Sequence, residues 1–305
     1  MTRYALEVMI KDNHVTLGGE ITSKAQYSPE DIEAFVRIAV NQIGYTKAYQ
    51  QFWGKENTIC GDDIEVTQHI GRQSPDIAQG VNGGGLGDQG VMFGMATNTP
   101  ETDYMPKDWW LARKIGKLLY DSHYAGIDIK TQVTMKDNKI DEIVIAIPMK
   151  GRHSEGRIVR MVAECVGRYQ DYWVYINGTG KFVKHGPVGD CGITGRKLAV
   201  DFYGGNCKIG GGSPWTKDGT KADLSLNLLA RARALSYIKE HPGCPEVFCA
   251  ISCRIGSPEM LVVFTDRQGN ELMAYRESVS PDELIRYFRL REPRFAKMCR
   301  NGLFT

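Results

Sequence analysis

The stretch whose reading decides the fold is Gly186–Asp223, GPVGDCGITGRKLAVDFYGGNCKIGGGSPWTKDGTKAD, which carries ten of the chain's 34 glycines. Leu198-Ala199-Val200 in its middle reads as a buried strand between two glycine-rich loops. Charged residues cluster in or beside those loops: Asp190, Arg196 and Lys197 before or at the strand, and Lys217, Lys221 and Asp223 after it. Glycine lets backbone approach a ligand closely, and N–H groups in such loops cradle anions. The following run, LSLNLLARARAL from Leu224, is a strong helix by propensity. Lys217 and Lys221 therefore arrive at a helix N-terminus, where the dipole favours anions. Asp223, in the first turn, is placed either to cap that helix or to hold a divalent cation. The expectation is a polyphosphate site with a metal. It is not a Walker A loop, because Thr194 stands five residues after Gly189 where glycine is required, and Lys197 is followed by Leu198.

Working outward, the rest of the chain repeats one pattern. Arg3 to Ile10 alternates like a strand, Lys11 to His14 reads as a turn, and Val15 to Ile21 as a second strand. A helix follows, with Ser28 as N-cap, Pro29 at its first position and Gly44 as its stop; Ile32, Phe35, Val36, Ala39, Val40 and Ile43 mark its apolar face. Thr131 to Met135 and Ile140 to Ile147 form another hairpin, and Ile158, Val159, Val162, Cys165 and Val166 another helix. Val247 to Ile255 and Met260 to Phe264 form a third, with a helix opening at Ser280-Pro281-Asp282-Glu283 as the first opens at Ser28-Pro29-Glu30-Asp31. Three hairpin-plus-helix units predict an α+β fold in which each small sheet buries one face under helices. The expected domains are 1–82, 83–184 and 185–305. Thr46 to His69 reads as irregular and polar, and Gln73 to Gly90 as a long glycine-rich loop of the kind that is usually functional.

Composition narrows the function classes. The 305 residues carry 38 Lys and Arg against 36 Asp and Glu, a net charge of +2, so nothing electrostatic points to nucleic acid. No apolar run approaches membrane-spanning length, and Glu7 interrupts any signal-peptide core. None of the eight cysteines forms a CxxC pair, and free thiols in a cytoplasmic protein are the expectation. His69, His123 and His185 are isolated and are not expected to bind metal. Glu7 inside an apolar strand is unusual, since a buried unpaired carboxylate is costly.

GDCGITGRK at Gly189–Lys197, DxYGG at Asp201–Gly205 and GGGxxxxKDxxKxD at Gly210–Asp223 resemble S-adenosylmethionine synthetase (methionine adenosyltransferase). So do QSPDIAQGV at Gln73–Val81, GLGDQGVMFGMAT at Gly85–Thr97 and GGEIT at Gly18–Thr22, in the family's order and over most of the chain. The resemblance implies three similar α+β domains about a pseudo-threefold axis. It implies an enzyme that joins ATP to L-methionine, releasing phosphate and diphosphate, with Mg2+ and K+ as cofactors. Thioether sulfur needs no general base. Catalysis then consists of neutralising charge on the departing triphosphate and holding the substrates in line. The resemblance assigns the cationic positions to Lys130, Arg196, Lys197, Lys217 and Lys221. Adenosine contacts fall to Asp128, Asp190, Phe182 as the adenine-stacking ring and Lys181 beside it. Methionine contacts fall to Glu20, Gln73 and Asp88, the gate over the site to Ile77, Mg2+ to Asp223 and K+ to Glu7. Read without the family, Asp128 and Lys130 are also what an ordinary strand start looks like, Phe182 an ordinary core ring, and Cys191 and Cys207 bystanders.

The resemblance further implies a homodimer with active sites at the interface, itself able to pair into a dimer of dimers. In it, residues matching Glu7, Glu20, Gln73 and Asp88 face those matching Lys217, Lys221 and Asp223 of the other subunit. Against the family, the sequence from Met1 shows no counterpart of an N-terminal His-Pro-Asp-Lys segment, for which His241-Pro242 is no replacement, and stops short of the family's end; the expectation is either a naturally short member or a true start that lies upstream. Lys181 and Leu224 stand where arginines are usual, and Ile209 where histidine is. Two function classes follow: a short methionine adenosyltransferase, or a non-catalytic nucleotide-binding or regulatory paralogue of it. Retention of the five cations favours the enzyme.

Overall fold

The protein is described here by a computed structural model, which covers residues 2–74, 84–151, 155–167 and 171–304. The expected gate residue Ile77 lies outside the described residues.

In chain order, β1 (Arg3–Lys11) and β2 (His14–Thr22) form an antiparallel hairpin. Helix α1 (Pro29–Ile43) opens on a capping box, in which the Ser28 hydroxyl accepts the Asp31 N–H and the Asp31 carboxylate accepts the Ser28 N–H; Gly44 closes it at φ 118°. Then come α2 (Lys47–Trp53), β3 (Glu65–Gly71), β4 (Gly90–Thr97) and α3 (Lys107–Asp121). The middle of the chain forms β5 (Lys130–Lys136), β6 (Lys139–Ala146), α4 (Glu155–Val166) and β7 (Trp173–Ile176). Next are β8 (Gly192–Ile193), α5 (Leu198–Phe202) and α6 (Ala222–Glu240). The last third adds β9 (Glu246–Cys253), β10 (Glu259–Thr265), β11 (Glu271–Ser278), α7 (Pro281–Tyr287) and α8 (Phe295–Asn301).

Three small sheets result, in the orders β3-β2-β1-β8, β5-β6-β7 and β11-β10-β9-β4. Each buries one face. Val8, Ile10, Val15 and Leu17 pack with α1 residues Val36 and Val40. Val133, Ile143 and Ile145 pack with Ile115 of α3 and Ile158 and Val162 of α4. Cys249, Ile251 and Val262 pack with Leu226, Leu229 and Ala230 of α6. The opposite faces of the first two sheets are open, with Met9 41 % exposed and Trp173 70 %, whereas on the third Met95 and Phe248 pack into another core. Helix α6 is buried on nearly every side, with Leu224 and Leu228 turned into a second core that includes Phe202, Tyr203 and Leu303. No helix among the described residues is long and apolar enough to cross a membrane. The eight cysteines are free.

Several sequence expectations are corrected. Leu198-Ala199-Val200 is not a buried strand but the start of α5, and Val200 is 56 % exposed. A run this short holds too few residues to tell a period of 2 from one of 3.6. Residues 46–69 are not irregular. Thr46 caps α2 by accepting the Tyr49 N–H, and β3 joins β2 in parallel with only Val66 and Ile70 turned to the core. On α1, Val40 is buried, whereas Phe35 and Ile43 are 57 % and 50 % exposed. Glu7 is exposed on the open face of β1, so it carries no burial cost.

Helix α6 packs directly on β4 at Gly94, where an added Cβ would lie 2.3 Å from the Ala230 carbonyl carbon. We expect Gly94→Ala to destabilise the fold by about 1–3 kcal/mol through overpacking, read as a lower urea midpoint at unchanged slope. An unchanged midpoint contradicts this packing.

Candidate functional site

The site begins at the outer edge of β1. An edge strand leaves alternate N–H and C=O groups unpaired, and Gly186–Asp223 covers them in two places. Met9 and Ile10 pair with Ile193 and Gly192 of β8, and the Thr194 hydroxyl accepts the Val8 N–H at 3.0 Å. Further along, Ala5 bridges to Lys217, with the Leu6 N–H donating to the Thr216 carbonyl and the Asp218 N–H to that of Tyr4. The buried Asp218 carboxylate accepts the Tyr4 N–H at 2.8 Å, and both the N–H and the hydroxyl of Thr220. Burial, and secondarily this carboxylate, pushes the Tyr4 phenol up to about 12.

This anchoring delivers the lysines. In the antiparallel register Ala5 stands between Glu20 on β2 and Lys217 on the other side, so all three side chains share one face. Lys221, the residue preceding α6, reaches across to Glu20 at 2.9 Å. Lys217 pairs with Asp223 in the first turn of α6 at 2.5 Å. These four side chains are between 15 % and 23 % exposed. The Asp223 Oδ1 accepts the Gly212 N–H at 2.7 Å, so its role is neither of a helix cap nor of a free carboxylate: it ties the glycine triplet to α6. The triplet is dictated by space, since a Cβ on Gly210 would lie 1.8 Å from the Val91 carbonyl oxygen. Asn227, one turn into α6 and fully buried, donates to the Gly210 and Asp223 carbonyls. Gln73 lies just past β3, whose Gly71 pairs with Glu20, and its N–H donates to the Thr22 hydroxyl. Its side-chain N–H2 is buried and has no hydrogen-bond partner among the described residues. Asp88, exposed, flanks Cys253, which Asp223 flanks as well.

A second group gathers around residue 186. The Asp128 Oδ2 accepts the Gly186 N–H at 2.8 Å. Gly186 has φ 61° and packs under Tyr45, whose hydroxyl would be 2.6 Å from an added Cβ. Phe182 is half-buried, 6.5 Å edge-on from His185. His185 is fully buried. Its Nδ1–H donates to the Val183 carbonyl at 2.6 Å, which leaves Nε2 to accept the Tyr49 O–H at 2.7 Å. Lys130, at the start of β5, and Lys181 are exposed. So are Asp190, which accepts the Cys191 N–H, and Arg196, which donates to the Cys191 carbonyl. Lys197 is exposed where α5 begins. Among the described residues no hydrogen bond or ion pair joins a member of this group to Glu20, Gln73, Asp88, Lys217, Lys221 or Asp223. Glu20 and Lys221 therefore meet within one chain, which corrects the expectation that they face each other across subunits. His185, Tyr49, Asp218 and Asn227 were not singled out as site residues: Asp218 stands inside the GGGxxxxKDxxKxD motif without an assigned role, His185 and Asn227 are revealed by burial, and Tyr49 by its hydrogen bonds to His185 and Ile127.

The sequence comparisons decide the family. The family models for the S-adenosylmethionine synthetase central and C-terminal domains match residues 83–182 and 184–305. The S-adenosylmethionine synthase of Brachyspira hyodysenteriae is 32 % identical over 345 aligned residues, covering 99 % of this chain and 84 % of that protein. That of Zymomonas mobilis is 35 % identical over 295, covering 88 % and 72 %. The chain belongs to the S-adenosylmethionine synthetase family. The structure of an unusual S-adenosylmethionine synthetase from Campylobacter jejuni superposes with a TM-score of 0.86 at 28 % identity, over 99 % of this chain and 85 % of that one. The three-sheet α+β fold is thus that of an S-adenosylmethionine synthetase.

Burial holds the His185 pKa below the ordinary 6.5, the Val183 hydrogen bond and Asp128 opposing it. Protonation would also cost the acceptor that Tyr49 uses. The unfolded chain therefore binds more protons than the folded one below about pH 6.5, and stability, full above that, falls as pH drops through the folded value. We expect His185→Gln, which keeps an acceptor but cannot titrate, to lose stability against the parent at pH 7.5 and to narrow that gap at pH 5.5 in urea unfolding. A gap that widens on acidification contradicts the assignment.

Proposed function

We propose that the chain is a methionine adenosyltransferase, making S-adenosylmethionine from ATP and L-methionine with release of phosphate and diphosphate. The observation that carries this reading is the convergence of Lys217, Lys221 and the Gly210–Gly212 backbone on the N-terminus of the 19-residue α6. Family membership supports it. In the reaction, a methionine sulfur lone pair forms the bond to C5′ of ATP as the C5′–O bond breaks, and the electron pair leaves on the triphosphate. Lys217 and Lys221, fixed before substrate arrives, neutralise that growing charge. Lys130, Arg196 and Lys197 supply the other cations. The buried, unpartnered Gln73 amide suits a carboxylate oxygen of methionine, because an unpaired buried donor costs about 1–3 kcal/mol; Glu20 and Asp88 suit its ammonium group. Asp128, Asp190, Phe182 and Lys181 hold the adenosine.

The residues fit Mg2+ but not a preformed cage. Asp223 is a single carboxylate, and the described residues contain no cluster of three His, Cys, Asp or Glu. That donor set suits an ion bound by one carboxylate, water and substrate phosphates. When bound, Mg2+ would screen phosphate charge. The K+ assignment fits less well, since Glu7 is one exposed carboxylate rather than an oxygen cage, and nothing further is derived from it. The open sheet faces support a homodimer with shared sites. The grouping within the chain indicates which halves would meet: Glu20, Gln73, Asp88, Lys217, Lys221 and Asp223 of one subunit against Asp128, Lys130, Phe182, Asp190, Arg196 and Lys197 of the other.

Purified protein given ATP, L-methionine and Mg2+ should form S-adenosylmethionine, detected by chromatography. Lys217→Ala should lower turnover by about 10²-fold or more with little change in methionine affinity. No product from the parent sinks the enzyme reading; if ATP still binds, the nucleotide-binding paralogue takes its place. Full activity in Lys217→Ala sinks the assignment of that lysine.

A further inference from the structure

A closed circuit of hydrogen bonds runs through Asp128 and Gly186 of the second group of residues. Its members alternate between chain neighbours and hydrogen-bonded partners. The Ile127 N–H donates to the Tyr49 hydroxyl oxygen at 3.1 Å, and the same hydroxyl donates to His185 Nε2 at 2.7 Å. His185 is bonded in sequence to Gly186, whose N–H donates to Asp128 Oδ2 at 2.8 Å, and Asp128 follows Ile127 in the chain. No member can shift alone. The His185 N–H is itself held by the Asn57 carbonyl at 2.9 Å, and the ring is walled edge-on by Trp53 at 4.9 Å. Gly186 cannot swing away, because Tyr45 fills the space a side chain would need. On the far side of the ring, Nδ1–H fixes the Val183 carbonyl next to Phe182, and the Phe182 carbonyl accepts the Met149 N–H at 2.9 Å.

Tyr49 and Trp53 sit one turn apart on α2 and present a single face to this circuit. The N-terminal part of the chain therefore orders residues that lie between 127 and 186. Of the two Asp128 oxygens, Oδ2 is used by the circuit and Oδ1 has no hydrogen bond among the described residues, which leaves it for a hydroxyl of a sugar.

We propose that His185 is a positioning residue for nucleotide recognition: through Tyr49 and Val183 it sets Asp128 and Phe182 at the spacing that holds the ribose and base of ATP. The inference rests on the ATP reading above. It does not touch the methionine side, since among the described residues Glu20, Gln73 and Asp88 share no hydrogen bond with the circuit. His185 acts through its neighbours and contacts no substrate. A small displacement of positioning groups is enough to change substrate handling by one to two orders of magnitude.

The test measures KM for ATP and for methionine, kcat, and the affinity for ATP with Mg2+ by isothermal titration, in the parent, His185→Ala, His185→Gln and Tyr49→Phe. We expect His185→Ala and Tyr49→Phe to raise KM and Kd for ATP by about tenfold with KM for methionine within twofold. His185→Gln, which still accepts from Tyr49, should recover most of the loss. If His185→Ala does not fold, Tyr49→Phe, which removes one hydroxyl, decides alone. Equal changes in both KM values, unchanged ATP affinity in both variants, or no recovery in His185→Gln overturns the proposal while leaving the enzyme reading intact. A parent that binds ATP without turnover ends the enzyme reading and leaves the titration to judge His185. A parent that does not bind ATP overturns both.

Discussion

The unpaired edge of β1 is the constraint on which the candidate site depends. Two turns of a glycine-rich chain cover it, β8 at residues 9 and 10 and residues 216–218 at positions 4 to 6. Their anchor points, opposite Met9 and Ala5, lie about 14 Å apart at about 3.4 Å per residue. Thirty-eight residues from Gly186 to Asp223 must therefore fold back on themselves between short supports. Glycine permits this where a side chain has no room, at Gly210 against β4 and at Gly186 under Tyr45. The buried Asp218 carboxylate fixes the second support by pairing with the Tyr4 and Thr220 backbones, and α6 starts four residues later.

Because α6 starts there, its positive end, two lysines and the glycine backbone are brought together, and the charges must be balanced before any ligand arrives. Glu20 and Asp223 do so. Partly buried lysines without partners would be costly. With partners they are held in place, and on the proposed reading a polyphosphate would exchange one anion for another at sites that need little rearrangement. Preorganisation of this kind is what electrostatic catalysis requires. The same economy explains α6 itself: a helix buried on nearly all sides is a rigid mount, and Arg231, midway along it, satisfies three carbonyls, those of Met95, Asp103 and Tyr104.

Much of this was legible in the sequence. The hairpins at residues 3–22 and 130–146 alternate cleanly, and both Ser-Pro helix starts carry capping boxes. Lys217, Lys221 and Asp223 could be placed at a helix N-terminus because the helix after them has strong propensity. What stayed hidden has physical reasons. Leu198-Ala199-Val200 is apolar without being buried, so composition misled. β8 has two residues and no pattern of its own; only β1 makes it a strand. β11 is mostly exposed, with little apolar alternation to read. Glu7 looked buried because its neighbours are apolar, but the pleat turns it outward. Pairing of Glu20 with Lys221, 201 residues apart, follows from the register around Ala5, which no local signal encodes. His185 is buried by α2, a helix in a segment that reads as irregular.

On the proposed reading, one group of residues takes methionine and triphosphate and the other adenosine, and a second copy of the chain joins them across open sheet faces. The most direct test is subunit mixing. Lys221→Ala disables the first group and Arg196→Ala the second. Each variant alone should be inactive. After exchange, confirmed by mass, a mixed dimer holds one site made wholly of intact groups, so activity should return to a fraction of the parent's. If mixed dimers form and remain inactive, or if the active species sediments as a monomer, each chain builds its site alone and the account is wrong.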